Sequence, residues 1–130
     1  MFEQLSQQVI NRAKSLASDQ GFAVCISVVD DAGLLRHFIR MDEALPGAID
    51  VSLKKARTAA LFRTDSAQLG AEAQPGGAIY SLEATNGGLI SFGGGVVLCD
   101  EHGKVIGAVG VAGATVEADQ WIALQAAGRP

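Results

Sequence analysis

Apolar residues recur with helical spacing from the start of the chain. Leu5, Val9, Ile10, Ala13, Leu16 and Ala17 share one side of a helix, and Gly21 stands just beyond them, which predicts a first helix over residues 2–20. The period then changes. Residues 22–29 form a nearly continuous, β-branched apolar run, Asp30-Asp31-Ala32-Gly33 is a turn signal, and residues 34–41 read as the returning strand of a hairpin. Pro46-Gly47 breaks the chain, and a second helix is predicted from about Ile49 to Phe62. A short helix within residues 65–74 and a loop or helical turn over 78–87 follow. Leu89–Phe92 and Val96–Cys99 read as short strands around Gly93-Gly94-Gly95. A turn at 100–103, a strand over 104–111 and a final helix from Thr115 to Ala127 complete the pattern, with Gly128 and Pro130 past its end.

Two of these segments share one design. Val28 to Leu35 and Val97 to Val105 both run as apolar strand, acidic pair, glycine, apolar strand, a repeated hairpin in which Asp opens the turn and Gly takes the positive φ. The order helix, hairpin, helices, strands, helix predicts one α/β domain of the α+β kind spanning residues 1–130, with about five mostly antiparallel strands. Strands this apolar need cover on both faces, from helices or from another subunit.

Composition adjusts the picture in a few places. An apolar fraction of 48% with 18% charged residues is globular, and aromatics at 5% leave the core to Val, Ile, Leu and Ala. Most of the 16 glycines lie in the second half, which therefore needs unusual backbone angles or close chain approach. A net charge of −4 and a sequence pI near 5.0 argue against nucleic acid as a partner. No apolar run is long enough to span a bilayer, and the first residues read as an amphipathic helix rather than a leader, so no membrane association and a cytoplasmic location are expected. Cys25 and Cys99 sit in apolar strand contexts and read as buried free thiols.

Arg40-Met41-Asp42, then Pro46-Gly47, then Lys55-Ala56-Arg57-Thr58-Ala59-Ala60 together resemble the signature of the GlcG/HbpS-like heme-degrading family (DUF336), which includes the C-terminal domain of propanediol-type corrinoid adenosyltransferases. The resemblance continues through Gly93-Gly94-Gly95-Val96 and Val105–Val111 to near Asp119, so it covers roughly positions 5–127. It implies a profilin-like fold, a five-stranded antiparallel sheet with helices on both faces, and a homo-oligomer. It also implies heme as a cofactor that several members bind, while others accompany enzymes of small-molecule catabolism.

The candidate chemistry gathers in few places. On the second helix one cation of Lys54-Lys55 shares a face with Thr58, and Arg57 is a forked donor, so Lys55, Arg57 and Thr58 could hold a ligand carboxylate or a heme propionate; close packing of the Ala residues with solvated cations explains the same pattern. Arg40 could clamp a carboxylate with Asp42 orienting it, or the two could stabilise the loop that follows. His37 alternates with Phe38 and is read as facing away from the apolar layer, where its imidazole could ligate iron. His102 and the acidic pairs 30–31 and 100–101 are explained by their turns. The glycine tract lacks Lys-Ser/Thr after it and reads as backbone exposed to a ligand or partner rather than a phosphate loop. Trp121 and Phe92 belong to a ligand site, a subunit interface or the core.

Three functions remain open on these residues. The first is a small-ligand-binding protein of the heme-binding kind, accessory to catabolism, whose ligand carries carboxylates. The second is a catabolic enzyme acting on a small carboxylic acid, and the third a structural partner of a larger enzyme.

Overall fold

The computed structural model describes residues 1–129; Pro130 lies outside the described residues. The elements are α1 (Phe2–Asp19), β1 (Cys25–Asp30), β2 (Leu35–Arg40), α2 (Gly47–Phe62), α3 (Ser66–Gly70), a 3-10 turn at Leu82–Ala84, β3 (Gly95–Cys99), β4 (Val105–Ala112) and α4 (Val116–Ala126). All strand pairs are antiparallel, in the order β2-β1-β4-β3.

The two hairpins match in detail. Asp30 Oδ1 accepts from the N–H groups of Ala32 and Leu34 at 3.0 and 3.1 Å, and Asp100 Oδ1 accepts from those of His102 and Lys104 at 2.8 and 2.9 Å. Gly33 and Gly103 follow at φ 77° and 82°, and each hairpin has a register shift beside its turn, at Val28/Val29 and Leu98/Cys99. The carboxylate satisfies the turn amides and glycine supplies the left-handed residue, so the same four-residue logic is used twice.

The sheet separates its residues by size. Toward α1 and α4 it presents Ile26, Val28, Val96, Leu98, Val109 and Val111, which bury Val9, Ile10 and Ala13 of α1 and Ile122, Ala123 and Ala126 of α4. Toward α2 it presents smaller groups such as Ser27, Ala108 and Gly110, against Ser52, Ala56, Ala59 and Ala60. Ser27 and Ser52 share a 2.7 Å hydrogen bond across this contact. A methyl group at Gly110 would overlap the Ser52 carbonyl oxygen and stand 2.7 Å from the Ala56 nitrogen, so the absent side chain sets how closely α2 approaches. Dispersion between many small groups replaces the aromatic bulk that the composition lacks.

Four strands are present where five were expected. Leu89–Phe92 forms no strand and pairs with none among the described residues. The amides that β3 turns to its open side are already taken: Gly95 N–H donates to Ser66 Oγ at 2.9 Å and Val97 N–H to Asp65 Oδ1 at 3.0 Å, and Asp65 is itself held by Arg129 at 2.8 Å. Leu89, Ile90 and Ser91 donate instead to Glu83 O, Thr58 Oγ1 and Glu83 Oε2. Side chains have thus replaced a fifth ladder. Cys25 is buried, but Cys99 is exposed, a correction to its reading as a buried thiol; both are free. No described helix is long and apolar enough to cross a membrane.

Two glycine substitutions separate contact from conformation. Gly110→Ala should destabilise the protein by roughly 3 kcal/mol or prevent folding, because backbone is in the way. Gly103→Ala meets open space and should cost only about 1 kcal/mol for its positive φ. Urea denaturation of the two variants checks the order.

Candidate functional site

Lys55 lies at a buried position of α2, between Ser52 and Ala59 on the face that meets the sheet. It is 1% exposed, a correction to the expectation that the cations of this helix are solvated. Its Nζ donates to Val111 O at 2.8 Å and to Asp119 Oδ2 at 3.1 Å, and stands 5.0 Å from the centre of the Phe92 ring. Asp119, in the first turn of α4, is 4% exposed by its side chain and accepts from Ala114 N–H at 3.0 Å through its other oxygen. One ion pair therefore joins α2, the end of β4 and the start of α4.

Burial pushes the Lys55 ammonium below the ordinary lysine value, against the pull of Asp119. Burial likewise pushes the Asp119 carboxyl above the aspartate range, opposed by Lys55 and by the amides of Ala114 and Gly113. Desolvation penalises each charge and their attraction restores it, so the pair presents little net field to a visitor.

The glycine tract makes room for this pair. A methyl group at Gly94 would lie 2.6 Å from both Lys55 Nζ and Val111 O, and φ there is 125°. Gly94 N–H donates to Gln120 Oε1 at 2.8 Å. The backbone of residues 93–95 is buried, not offered to a ligand as the sequence suggested.

Two hollows meet at Phe92. One, of about 260 Å³, has apolar walls from Leu45, Ala48, Val51 and Val116, with Lys55 and Asp119 among its lining. The other, of about 500 Å³, runs between α3 and residues 80–93 and is lined by Gln74, Pro75, Tyr80, Glu83, Ser91 and Phe92. Tyr80 is 60% and Phe92 46% exposed, so neither ring is core; Trp121 is likewise 41% exposed. Ser91 donates to Glu83 Oε2 through both its N–H and its hydroxyl, which fixes that wall.

The other predicted site residues are dispersed. Thr58 is fully buried, its hydroxyl donating to Lys54 O at 2.6 Å and accepting from Ile90 N–H at 3.1 Å. Arg57 is half-buried and donates to Asn86 O at 3.2 Å, so both residues fasten the 85–90 loop to α2. Arg40, whose Nε donates to Ala44 O at 3.1 Å, and Asp42 are exposed and line a separate hollow of about 280 Å³ with Lys14 and Glu43. None of these hollows is lined by both Arg40 and Arg57.

His37 points toward α1 rather than away from the apolar layer, and is half-buried while Phe38 is exposed. Its Nδ1 is 2.6 Å from Ser6 Oγ. The same Ser6 hydroxyl lies 2.9 Å from Glu3 O, so it links the His37 ring to the first turn of α1. Among the described residues no group of three His, Cys, Asp or Glu side chains could hold a metal ion.

The sequence reading gave no role to Asp119, Tyr80 or Glu83, and took Gly94 for backbone exposed to a ligand or partner. For Lys55 a signal existed, since Ser52, Ala56 and Ala59 mark its face of the helix as the packed one; nothing local marks Asp119 as its partner.

Comparison with known proteins gives a consistent result. A family model described as "Haem degrading protein HbpS-like" matches residues 3–128. A 15.0 kDa protein from the dhaT-dhaS intergenic region of Citrobacter freundii is 39% identical over 121 residues, covering 91% of this chain and 83% of its own. The corrinoid adenosyltransferase PduO of the same organism is 37% identical, and the chain spans only 35% of that protein's length. Among solved structures, Klebsiella pneumoniae protein ORFY superposes with a TM-score of 0.91 at 38% identity, covering 98% of this chain and 87% of that one. A PduOC:heme complex superposes with a TM-score of 0.91 at 34% identity, covering 96% and 91%.

The buried pair yields a double-mutant cycle. Lys55→Met or Asp119→Leu alone should cost roughly 3–5 kcal/mol, since each strands a charge, and the double variant should cost clearly less than their sum. Chemical denaturation of the four proteins measures the coupling.

Proposed function

Since the chain belongs to the HbpS-like family of haem-degrading proteins, we propose that it is a self-associating protein that binds a heme-type tetrapyrrole at the Tyr80–Phe92 cleft. The observation that carries this is the full-length likeness to a domain crystallised as a heme complex. The cleft suits such a group: it is about 500 Å³, and two exposed aromatic rings line it that could pack on a flat apolar macrocycle. Tyr80 and Glu83 would be its oxygen donors for iron, tyrosine being a residue type that ligates heme iron. When bound, heme would supply an iron centre able to take small ligands and exchange electrons.

The chain's own residues do the holding. Phe92 and Tyr80 offer the stacking surface, and the two hydrogen bonds from Ser91 to Glu83 keep that wall in place. Arg57, on α2 and tied to the 85–90 loop at Asn86, is not among the cleft's lining residues and would meet only a propionate that extends past them. Lys55 and Thr58 are already engaged inside the protein and do not take this role. Arg40 and Asp42 line a separate hollow together with Lys14 and Glu43, and His37 is a second iron-ligand candidate on the α1 side of the sheet. Self-association is supported by exposed apolar side chains, Leu35 and Phe38 on β2 and Leu45 and Ile49 at the start of α2. The proposal includes an accessory role in small-molecule catabolism in the cytoplasm, drawn from the likeness to one part of the corrinoid adenosyltransferase PduO.

Hemin titration followed by visible absorption tests the site. A saturable Soret shift is expected, with affinity reduced about tenfold or more in Tyr80→Ala and Phe92→Ala, in line with the cost of losing an aromatic anchor, and little changed in His37→Ala. No saturable shift would overturn heme binding, and loss only in His37→Ala would move the site to the α1 side. Native mass spectrometry should show a multimer, and a monomer at micromolar concentration would refute self-association.

A further inference from the structure

The hollow over the Lys55–Asp119 pair is not used by the tetrapyrrole reading, and it joins three features that structural cations lack. A lysine amine and an aspartate carboxyl lie 3.1 Å apart among its lining. The rest of its side-chain wall is apolar, from Leu45, Ala48, Val51, Phe92 and Val116. Two of the three Nζ protons go to Val111 O and Asp119, while the third direction is left to the Phe92 ring, whose face is a weak partner compared with a carbonyl oxygen.

The chemistry of a visitor follows from these facts. A free carboxylate would meet a pair that is neutral overall, and the Asp119 oxygens would repel it. A neutral carbonyl compound loses little on leaving water, fills the apolar walls, and can accept from the amine. We propose that this hollow binds a small aldehyde and that Lys55 condenses with it to form an imine, with Asp119 handling the protons.

The step balances without any other reagent. Nζ first passes a proton to the Asp119 carboxylate; its freed lone pair attacks the carbonyl carbon, and the C=O π pair moves to oxygen, which takes that proton from the Asp119 carboxyl. The nitrogen returns a proton to the Asp119 carboxylate, leaving a carbinolamine. Asp119 then protonates the hydroxyl, the C–O bond breaks, and water departs. Loss of the last N–H proton to Asp119 leaves the neutral imine, so amine plus aldehyde gives imine plus water. Burial supports this assignment because it shifts the balance of Lys55 from the ammonium toward the free amine.

The test needs no hemin, so its outcome is independent of the tetrapyrrole reading. The folded, heme-free protein is incubated at neutral pH with propanal and sodium cyanoborohydride, then digested and mapped by mass spectrometry. Reductive alkylation of Lys55 is expected to outpace that of Lys14, Lys54 and Lys104 by about tenfold or more. In Val116→Trp, which fills the hollow from its rim, labelling of Lys55 should fall to that of the surface lysines while theirs stays the same. Lys55 left unlabelled while the other lysines react would overturn the proposal. So would labelling that appears only in urea, or labelling that Val116→Trp does not reduce.

Discussion

The fold is organised around one ion pair removed from water. Bringing Lys55 and Asp119 inside costs several kcal/mol per charge, and the cost is recovered only if their remaining protons and lone pairs are engaged. Much of the local architecture answers that demand. Val111 turns its carbonyl to the ammonium, the turn after β4 aims its amides at Asp119, and the start of α4 is placed so that the carboxylate reaches the amine. Gly94 leaves the ammonium its space, and Gln120 holds Gly94 where it must be. Helix α2 can lie so close to the sheet because Ser52, Ala56 and Gly110 are small, and that closeness brings Lys55 within reach of β4.

The elements were largely legible because burial and periodicity are linked locally. Both hairpins, three long helices and the break at Pro46-Gly47 follow from apolar spacing and turn chemistry alone, and their bounds shift by a few residues at most. Leu89–Phe92 shows where that reasoning ends. Apolarity says that a segment is covered, not what its amides bond to, and here Asp65 and Ser66 had already occupied the β3 edge from thirty residues away.

The candidate site was less legible, for a related reason. Charge was read as exposure, yet Lys55 stands among Ser52, Ala56 and Ala59 on the packed face, and its counter-charge lies on the last helix. Arg57 and Thr58 are adjacent to it in sequence but face the 85–90 loop, where they act as fasteners. Tyr80 and Glu83 come from a stretch with no regular period, so their meeting with Phe92 was not encoded in any local pattern. Phe92 itself matters twice, as one wall of the wide cleft and as cover for the ammonium, so the flat surface and the buried pair share a single ring.

The matched hairpins have a consequence for how the chain reaches this structure. Each closes over a tight turn with its own aspartate and glycine, so the pairings of β1 with β2 and of β3 with β4 involve only near neighbours and cost little chain entropy. The central pairing of β1 with β4 is different, since it must bring together segments separated by most of the polypeptide. The entropic toll of folding is therefore concentrated in one seam, between two preformed ribbons. Helix α2 bridges that seam, and Lys55 crosses to the last helix beyond it, so the charges are withdrawn from water only once the topology is complete.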